Sequence, residues 1–399
     1  MSAPEPSEPT RELTWQGCQV TLLGTAHVSP ASVAAVNAAA ADPGYEAIAV
    51  ELCASRERAL TDPAALARLD LLRVLRDGQA PMVIANLALG AFQQRVAEQL
   101  GIEPGAELRA ALDAARVTGR PRVLLDREIG ITLRRVYRSV RWWQRLELVA
   151  GLLTSVVSRQ QVDGAEIERL KQHDVLSSAF GEFAAAAGDL YQPLIAERDR
   201  YMAARLRQAI AAGGHRRLLA VVGAGHLEGI ARALAEDHAP PAEVLTELER
   251  LPPPGRWLRR LPWLIVALVL AGFAVGFARS PQLGWELVLD WVLINGGLSA
   301  LGALLAAGHP LTVLAAFVAA PLTSLNPTVG AGMVTGAVEL LLRRPTVADF
   351  DQLRRASAHP RGWWHNRITR VLLVFLFSTL GSAIGTYVAG FRIFERLAG

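Results

Sequence analysis

Two histidines in this chain each follow a glycine that ends an apolar run. The stretch TLLGTAHVS contains Gly24 and His27, and the later stretch LLAVVGAGHLEGI contains Gly223, Gly225 and His226. An apolar run that ends in glycine is typical of a buried strand whose backbone turns sharply or approaches a ligand closely. Because the pattern occurs twice, we predict that both imidazoles belong to one site.

Two carboxylates occupy the same kind of position. Glu51 ends the apolar run AVEL, and Asp126 ends the run VLLD. In open α/β sheets, ligands bind beyond the carboxyl ends of the strands, so these groups and the two histidines are expected at one edge. Asp126 has a second interpretation, because an Asp at the end of a strand often caps the following helix.

These residue types indicate hydrolytic chemistry. Two imidazoles with one or two carboxylates suit a divalent metal, and the candidates here are His27, His226, Glu51 and Asp126. Such a metal could activate water and polarise a carbonyl, with a carboxylate as general base. Arg56, about one helical turn after Glu51, could neutralise a carboxylate or bind an oxyanion. Catalysis without a metal stays open, since the zinc-protease motif His-Glu-x-x-His is absent.

Two charged segments are predicted to be helical. AERDRYMAARL carries Glu197, Arg198, Asp199 and Arg200 just before the stretch that contains His226. Taken alone, such a run indicates a solvated helix face. The Arg- and Trp-rich residues 133–146 predict a helix that lies on a membrane surface or is simply exposed.

Residues 16–250 are expected to form an α/β domain with a mostly parallel sheet, because short apolar runs alternate with amphipathic segments. The predicted strands are 18–24, 47–52, 122–126, 217–223 and 243–249. The predicted helices are 30–41, 55–76, 81–100, 105–118, 130–156, 165–187, 190–212 and 227–236. The helical stretch between the third and fourth strands predicts an insertion. Residues 1–15 predict a disordered tail with no secretory signal, and 251–260 a stiff linker.

Residues 261–399 are expected to form an all-α transmembrane domain with four or five spans, at 261–278, 283–307, 310–342 and 370–391. TSLNPTVGAG, at 323–332, breaks the third candidate into two short spans or a span and a re-entrant segment. With four crossings between them, the Arg-rich segments 256–260 and 343–370 fall on the same side of the membrane, whereas a topology with three crossings would separate them. The positive-inside rule therefore predicts that both segments and the α/β domain are cytoplasmic.

Four polar residues fall inside the predicted spans or their break: Glu286, Asp290, Asn326 and Glu339. Such groups predict either paired structural contacts or a transport route. The net charge is only +4, so nothing in the composition indicates nucleic-acid binding. The two cysteines, Cys18 and Cys53, lack the spacing of a zinc ribbon or a disulfide framework.

Taken together, the motifs resemble the TraB/PrgY family, part of a wider group that includes the TIKI and GumN proteins. The similarity covers residues 16–391. It rests on LLGTAHVS, VELC with Arg56, PGAELRAA, DREIGITLRR, ERDRYMA and VVGAGHLEGI in the first part. In the second part it rests on HPLTVLAAFVAAPLTSLNPTVGAGMVTGAVE and TVADFDQL.

The resemblance implies a membrane-attached, metal-dependent peptidase or related hydrolase. It implies His27, His226 and Glu51 as ligands of Mn, Co, Fe or Zn, with Arg56 in support. Further parts of the site would come from DREIGITLRR and from the ERD helix, with Asp126, Arg127, Glu197 and Arg198 as the candidate residues. Membrane-attached relatives are linked to the shutdown of peptide pheromone signalling, by cleavage or by sequestration.

Two alternatives remain open at this stage. One is a non-catalytic membrane protein that binds a peptide or small ligand, and the other is a transporter-like bundle regulated by the α/β domain. The expected partners are the lipid bilayer, here a bacterial inner membrane, a peptide substrate, and a second copy of the chain in a homo-oligomer.

Overall fold

The computed structural model describes residues 8–25, 30–62, 70–100, 105–139, 192–251 and 256–398. The chain divides into two units. The α/β unit takes residues 1–65 and 88–252, and the helical unit takes residues 66–87 and 253–399.

Five strands form one sheet in the α/β unit. They are β1 (Thr10–Trp15), β2 (Cys18–Thr25), β3 (Ala47–Val50), β4 (Arg122–Leu124) and β5 (Arg217–Gly223). The strand order is β1-β2-β5-β3-β4, in which β1 is antiparallel to β2 and all other neighbours are parallel. The predicted α/β class with a mostly parallel sheet is confirmed.

Two expectations about strands are wrong. Residues 243–249 are helical, because Pro241 opens a helix whose buried Val244, Leu245 and Leu248 have helical spacing. The expected tail 1–15 is not wholly a tail, since Thr10–Trp15 forms the edge strand β1. Its Leu13 and Trp15 pack against the core, which explains why a polar sequence adopts a strand here.

Nine helices precede residue 250 in the described ranges. They are α1 (Pro30–Ala40), α2 (Ala54–Thr61), α3 (Leu71–Arg76), α4 (Ala80–Leu100), α5 (Ala106–Thr118), α6 (Ile129–Ser139), α7 (Glu197–Gly213), α8 (Leu227–Glu236) and α9 (Pro241–Glu249). The predicted helix 55–76 is interrupted, because α2 ends at Thr61 and Asp70 caps α3 anew. The helix predicted at 165–187, with most of the expected insertion, lies outside the described residues.

Apolar cores cover both faces of the sheet, as expected for parallel strands. On one face, Leu22, Ala220 and Val222 pack with Met202 and Leu206 of α7. On the other face, residues such as Ile48, Val50 and Val221 pack with α1 and α5. The helices on both faces leave the carboxyl ends of β2, β5, β3 and β4 side by side at one edge.

The helical unit contains eight further helices. They are α10 (Arg256–Arg279), α11 (Pro281–Leu305), α12 (Pro310–Thr323), α13 (Ala331–Leu342), α14 (Val347–Asp351), α15 (Leu353–Ala358), α16 (Pro360–His365) and α17 (Arg367–Ala398). Within the described residues, α10, α11 and α17 are long and apolar enough to cross a membrane. The segment 310–342 is broken where the sequence indicated, into two short apolar helices, α12 and α13.

Two boundaries differ from the expected ones. Arg256 begins α10, so the second half of the expected linker 251–260 is helical. Residues 66–87 belong to the helical unit although their position in the sequence lies within the expected α/β domain. The reason is burial, because Leu71, Val74 and Leu75 share a core with Leu372 and Phe375 of α17.

Glycines let α11 and α17 approach each other closely. A Cβ placed on Gly302 of α11 would collide with the carbonyl oxygen of Phe377, and one on Gly381 of α17 with that of Leu298. Small residues of this kind allow backbones to pack tightly where no hydrophobic effect drives helices together.

We expect Gly302→Val to destabilise the helical unit by about 1–3 kcal/mol, since the obstacle is backbone that cannot rotate away. Gly297→Val on the same helix is the matched control, because nothing lies within 4 Å of a Cβ at Gly297. The measurement is the thermal unfolding midpoint of the full-length chain in detergent. Equal midpoints for the two variants would contradict this packing.

Candidate functional site

The parallel strands deliver their titratable groups to one edge of the sheet. Glu51 directly follows β3, Asp126 comes just after β4, and His226 comes just after β5. The strand pairing aligns Val50 with both Val221 and Leu124, so the residues that follow are neighbours. His27, expected after β2, lies outside the described residues.

Glu51 is fully buried and hydrogen-bonded at both oxygens. Its Oε1 accepts a hydrogen bond of 2.6 Å from Nη2 of Arg198, and its Oε2 accepts one of 2.6 Å from the backbone N–H of Gly223. The Glu51 backbone N–H donates to the Val221 carbonyl at 3.0 Å, which fixes the chain where β3 ends. Glu51 is therefore fixed by a cation on α7 and by the backbone at the end of β5.

Arg198 also holds the second carboxylate. Its Nε and Nη2 lie 3.0 and 2.9 Å from the two oxygens of Asp126, in the two-pronged geometry that favours Arg over Lys. Asp126 accepts a further hydrogen bond from the backbone N–H of Arg127 at 2.8 Å. Nη1 of Arg56, whose side chain is 31% exposed, lies 3.8 Å from Asp126. The side chain of Asp126 therefore belongs to the ion-pair cluster.

His226 is buried between two carboxylates. Its Nδ1 lies 2.5 Å from Oδ1 of Asp199, and its Nε2 lies 3.5 Å from Oε1 of Glu51. Burial raises the pKa of Asp199 above its ordinary value, and the hydrogen bond with His226 offsets part of that rise. When Asp199 is ionised, it accepts a hydrogen bond from Nδ1 of His226.

Asp199 is the site residue to which the sequence assigned no role. The local signal was its place beside Arg198 in ERDR, but its partner follows a strand that begins eighteen residues later in the chain. Gly229 on α8 makes room for it, since a Cβ there would collide with the Asp199 carboxylate.

Gly24 and Gly223 make close contacts at the ends of their strands. Gly223 has φ −61°, and neither it nor Gly24 is among the positive-φ glycines of the described residues. Gly24 instead makes room for the side chain of Leu227, and Gly223 supplies the N–H for Glu51. Gly225 lies in the short helical turn that ends at His226.

Arg127 and Glu197 form a second cluster. Nη1 of Arg127 donates to Glu197 at 2.8 Å and to the Leu248 carbonyl at 3.0 Å, and its Nε donates to Thr132 at 3.1 Å. Arg135 holds both Glu197 oxygens, at 2.6 and 2.7 Å. The Arg127 guanidinium, which the resemblance implied as a further part of the site, thus joins α6, α7 and the end of α9.

Both members of this second pair have shifted pKa values. Burial lowers the pKa of Arg127, and its contacts with Glu197 counter that effect. Burial alone would raise the pKa of Glu197, but the hydrogen bonds from Arg135 and Arg127 outweigh it and hold the pKa below its ordinary value.

The polar residues of the helical unit are paired. Asp290 lies 2.7 Å from Nε of Arg396 and 3.9 Å from Nε of Arg392, and Glu286 lies 2.6 Å from Nη1 of Arg396. Glu339 is fully buried among hydrogen-bond donors. Asn326 is exposed in the turn between α12 and α13, where its Oδ1 accepts a hydrogen bond from the Thr328 hydroxyl.

An α/β unit with titratable groups at its strand ends and a helical unit with three long apolar helices define the class of protein. Residues 10–244 match the TraB/PrgY/gumN family, and residues 257–398 match the C-terminal domain of TraB family proteins. The chain belongs to the TraB/PrgY/gumN family, and the resemblance that the motifs indicated is confirmed.

Relatives in archaea and animals align with much of the chain. An uncharacterised protein of Methanocaldococcus jannaschii is 33% identical over 377 residues, which are 93% of either chain. A TraB domain-containing protein of Bos taurus is 30% identical and covers 68% of this chain and 76% of its own length. The corresponding protein of Homo sapiens is 28% identical, covering 63% of this chain and 70% of its own length.

We expect Glu197→Gln to lower the free energy of unfolding of the α/β unit by about 3 kcal/mol at neutral pH, because it removes the carboxylate that pairs with the buried Arg127. The pKa of Glu197 is lower in the folded chain than its ordinary value of 4.5, so the ionised carboxylate stabilises the fold above pH 4.5. That stabilisation is lost as the pH falls below this value. The difference between the variant and the native chain should therefore shrink in acid.

The measurement is amide hydrogen exchange in α6 and α7 of the full-length chain, corrected for intrinsic rates, at neutral pH and below pH 4.5. The exposed Glu236→Gln on α8 is the control and should match the native chain. Unchanged protection in Glu197→Gln would show that this cluster does not stabilise the helices.

Proposed function

We propose that this protein is a membrane-anchored hydrolase that cuts a peptide bond at the strand-end site of its α/β unit. The observation that carries the proposal is the pair of His226 and Glu51, with a charged residue behind each. Peptide cleavage is the activity that the resemblance implies for this set of groups.

The side chains of His226 and Glu51 fit a metal ion in their chemistry and in their spacing. Two ligand atoms about 2.0–2.2 Å from one tetrahedral ion lie roughly 3.3–3.6 Å apart. The 3.5 Å between Nε2 of His226 and Oε1 of Glu51 fits this spacing. Asp199 supplies the carboxylate that a ligating histidine usually has behind it, at 2.5 Å from Nδ1.

The described residues alone contain no group of three His, Cys, Asp or Glu side chains that could hold a metal. The third ligand in this proposal is His27, which the described ranges do not include. A divalent ion held by His27, Glu51 and His226 would supply water activation at neutral pH and polarisation of the scissile carbonyl.

The remaining residues of the chain act on charge and orientation. Arg198 compensates Glu51 and Asp126, so that two buried carboxylates are tolerated near each other. Arg56 is the partly exposed cation of the cluster and is placed to bind a substrate carboxylate or a developing oxyanion. Asp199 acts as a positioning residue for His226.

A non-catalytic binding protein is the second candidate, and one observation favours it. Arg198, together with Arg56, compensates the charges of Glu51 and Asp126, so the cluster has an arrangement that needs no metal cation. In that case the same strand-end edge would hold a peptide or a small ligand without cleaving it.

The proposal includes the location of the site. Three apolar helices support attachment to a bilayer. The Arg-rich segments 256–260 and 343–370 favour the cytoplasmic side of a bacterial inner membrane for the point where the chain enters α10.

The test combines metal content and peptide hydrolysis in the full-length chain in detergent. We expect stoichiometric Mn, Co, Fe or Zn by elemental mass spectrometry, lost in His27→Ala, His226→Ala and Glu51→Gln together with hydrolysis. Asp199→Asn should bind metal about 10–100-fold more weakly, because His226 loses its orienting partner. His238→Ala, at an exposed histidine, is the control and should retain both properties.

Full hydrolysis by a His27→Ala, His226→Ala double variant would overturn the assignment of these residues. If the native chain holds no metal after reconstitution and cleaves no peptide in a diverse library, the hydrolase is rejected. Binding of peptides from that library would then favour the second candidate.

A further inference from the structure

The α12–α13 hairpin begins and ends at one end of the helical unit. Near the end of α13, Oε2 of the buried Glu339 accepts hydrogen bonds of 2.7 Å from the His309 backbone N–H and from the Thr312 hydroxyl, both at the start of α12. Arg343 joins the same place, with Nη1 donating to Glu339 at 3.1 Å and to the Ala307 carbonyl at 2.9 Å. This is the end that carries the Arg-rich segment 343–370.

The hairpin is too short to reach the opposite end. α12 has 14 residues and α13 has 12, so at 1.5 Å per residue they extend about 21 and 18 Å, against a hydrocarbon core of about 30 Å. The turn between them, residues 324–330, is called here the hairpin turn. The Pro321 carbonyl accepts a hydrogen bond from Trp291 Nε1, and Ser324 donates to Asn295.

These contacts fix the depth of the hairpin turn beside α11. From Trp291, α11 continues back to Pro281, which is about 15 Å of further helix. Large apolar side chains remain exposed along that part, namely Trp285 at 66% and Leu289 at 55%. The apolar surface therefore extends beyond the level of the hairpin turn.

α17 shows the same extension of the apolar surface. Asn295 is bonded to Thr386, and Arg396 reaches Glu286, so the last turns of α17 lie beside the first turns of α11. In those last turns Phe391 is 70% exposed and Phe394 is 69% exposed. The exposed apolar surface of α17 therefore also extends beyond the level of the hairpin turn.

The hairpin turn nevertheless exposes polar groups and non-helical backbone. Asn326, Pro327 and Thr328 are exposed and lie outside any helix. Hydrocarbon offers no hydrogen bonds, so irregular backbone at such a depth must be covered by protein or face water.

Charged side chains at the start of α11 and the end of α17 indicate that water, rather than protein, covers the hairpin turn. Glu286, Asp290, Arg392 and Arg396 are paired, yet their side chains are 42%, 20%, 50% and 31% exposed at the depth of the apolar surface. Ionised groups inside a membrane normally face a protein interior or a hydrated cavity. Covering them with a second protein surface would add the cost of desolvating four charges.

We propose that the helical unit contains a water-filled vestibule, open at the end where α11 begins and α17 ends, with the hairpin turn as its floor. The ion pairs of Glu286 and Asp290 with Arg392 and Arg396 lie at its mouth. It admits water and small hydrophilic solutes, and residues 310–342 are re-entrant.

The vestibule is closed toward the Arg-rich end. Below the hairpin turn, the hydroxyl of Ser378 contacts that of Thr335 at 2.8 Å, and the Ser299 hydroxyl bonds the Ser378 carbonyl at 3.2 Å. All three residues are fully buried. The proposed vestibule therefore ends at the hairpin turn, and it is independent of the chemistry proposed for the α/β unit.

Cysteine labelling in sealed vesicles of both orientations tests the vestibule in the full-length chain. The test variant is Thr328→Cys, with Val329→Cys as a second exposed position of the hairpin turn. Leu293→Cys is the control at matched depth, because Leu293 lies between Trp291 and Asn295 and is 51% exposed on the apolar surface. Gln282→Cys marks the open end, and the native chain, with Cys18 and Cys53 buried, is the blank.

The probes are a small charged methanethiosulfonate and a maleimide that carries a bulky polyether chain. We expect the small probe to label Thr328→Cys from the same face as Gln282→Cys, and about tenfold or more faster than Leu293→Cys, because the reactive thiolate forms in water. The bulky probe should label Gln282→Cys and leave the hairpin turn unmodified.

Two results would overturn the proposal. Failure of the small probe at both turn positions, in folded protein, would mean that lipid or a second chain covers the turn. Equal labelling of the turn and of Gln282→Cys by the bulky probe would mean that residues 310–342 cross the membrane twice.

Discussion

The guanidinium of Arg198 is the interaction on which the strand-end site depends. From α7 it donates to Glu51 after β3 and to Asp126 after β4, so one cation joins two strand ends to a helix. Two buried carboxylates at one edge would repel each other and lose their hydration, at a cost of several kcal/mol per charge. Their presence beside His226 is possible because this cation lies between them.

The helix that carries Arg198 distributes its charges in several directions. Consecutive residues on a helix point about 100° apart, so neighbours cannot share one partner. Glu197 forms ion pairs with Arg127 and Arg135. Arg198 contacts Glu51 and Asp126, and Asp199 contacts His226. Arg200, the most exposed of the four, pairs with Asp237 at 2.7 Å. The charged run 197–200, which resembles a solvated helix face, therefore supplies residues to both ion-pair clusters.

In the helical unit, too, buried polar groups need partners, because their surroundings are apolar. Its buried polar groups are used within the bundle, as with Glu339 at the two ends of the α12–α13 hairpin and Asn295 between Ser324 and Ser382. Tight packing of α11 on α17 through glycines leaves little room between those helices. The polar groups of the hairpin turn and the ion pairs beyond it are exposed, and this is where we propose that water enters the helical unit.

The sequence by itself determined the parallel strands, the order of most helices and the apolar helical region, because each follows from local periodicity and from buried apolar runs. It also placed Glu51, Asp126 and His226 at one edge, since parallel strands end together. Only the tertiary structure assigned partners to them. Arg127 pairs with Glu197, and Asp199 pairs with His226. The sequence did not reveal these pairings because they join residues that are distant in the chain. The edge strand Thr10–Trp15 and the membership of residues 66–87 in the helical unit were likewise decided by packing, which local sequence does not encode.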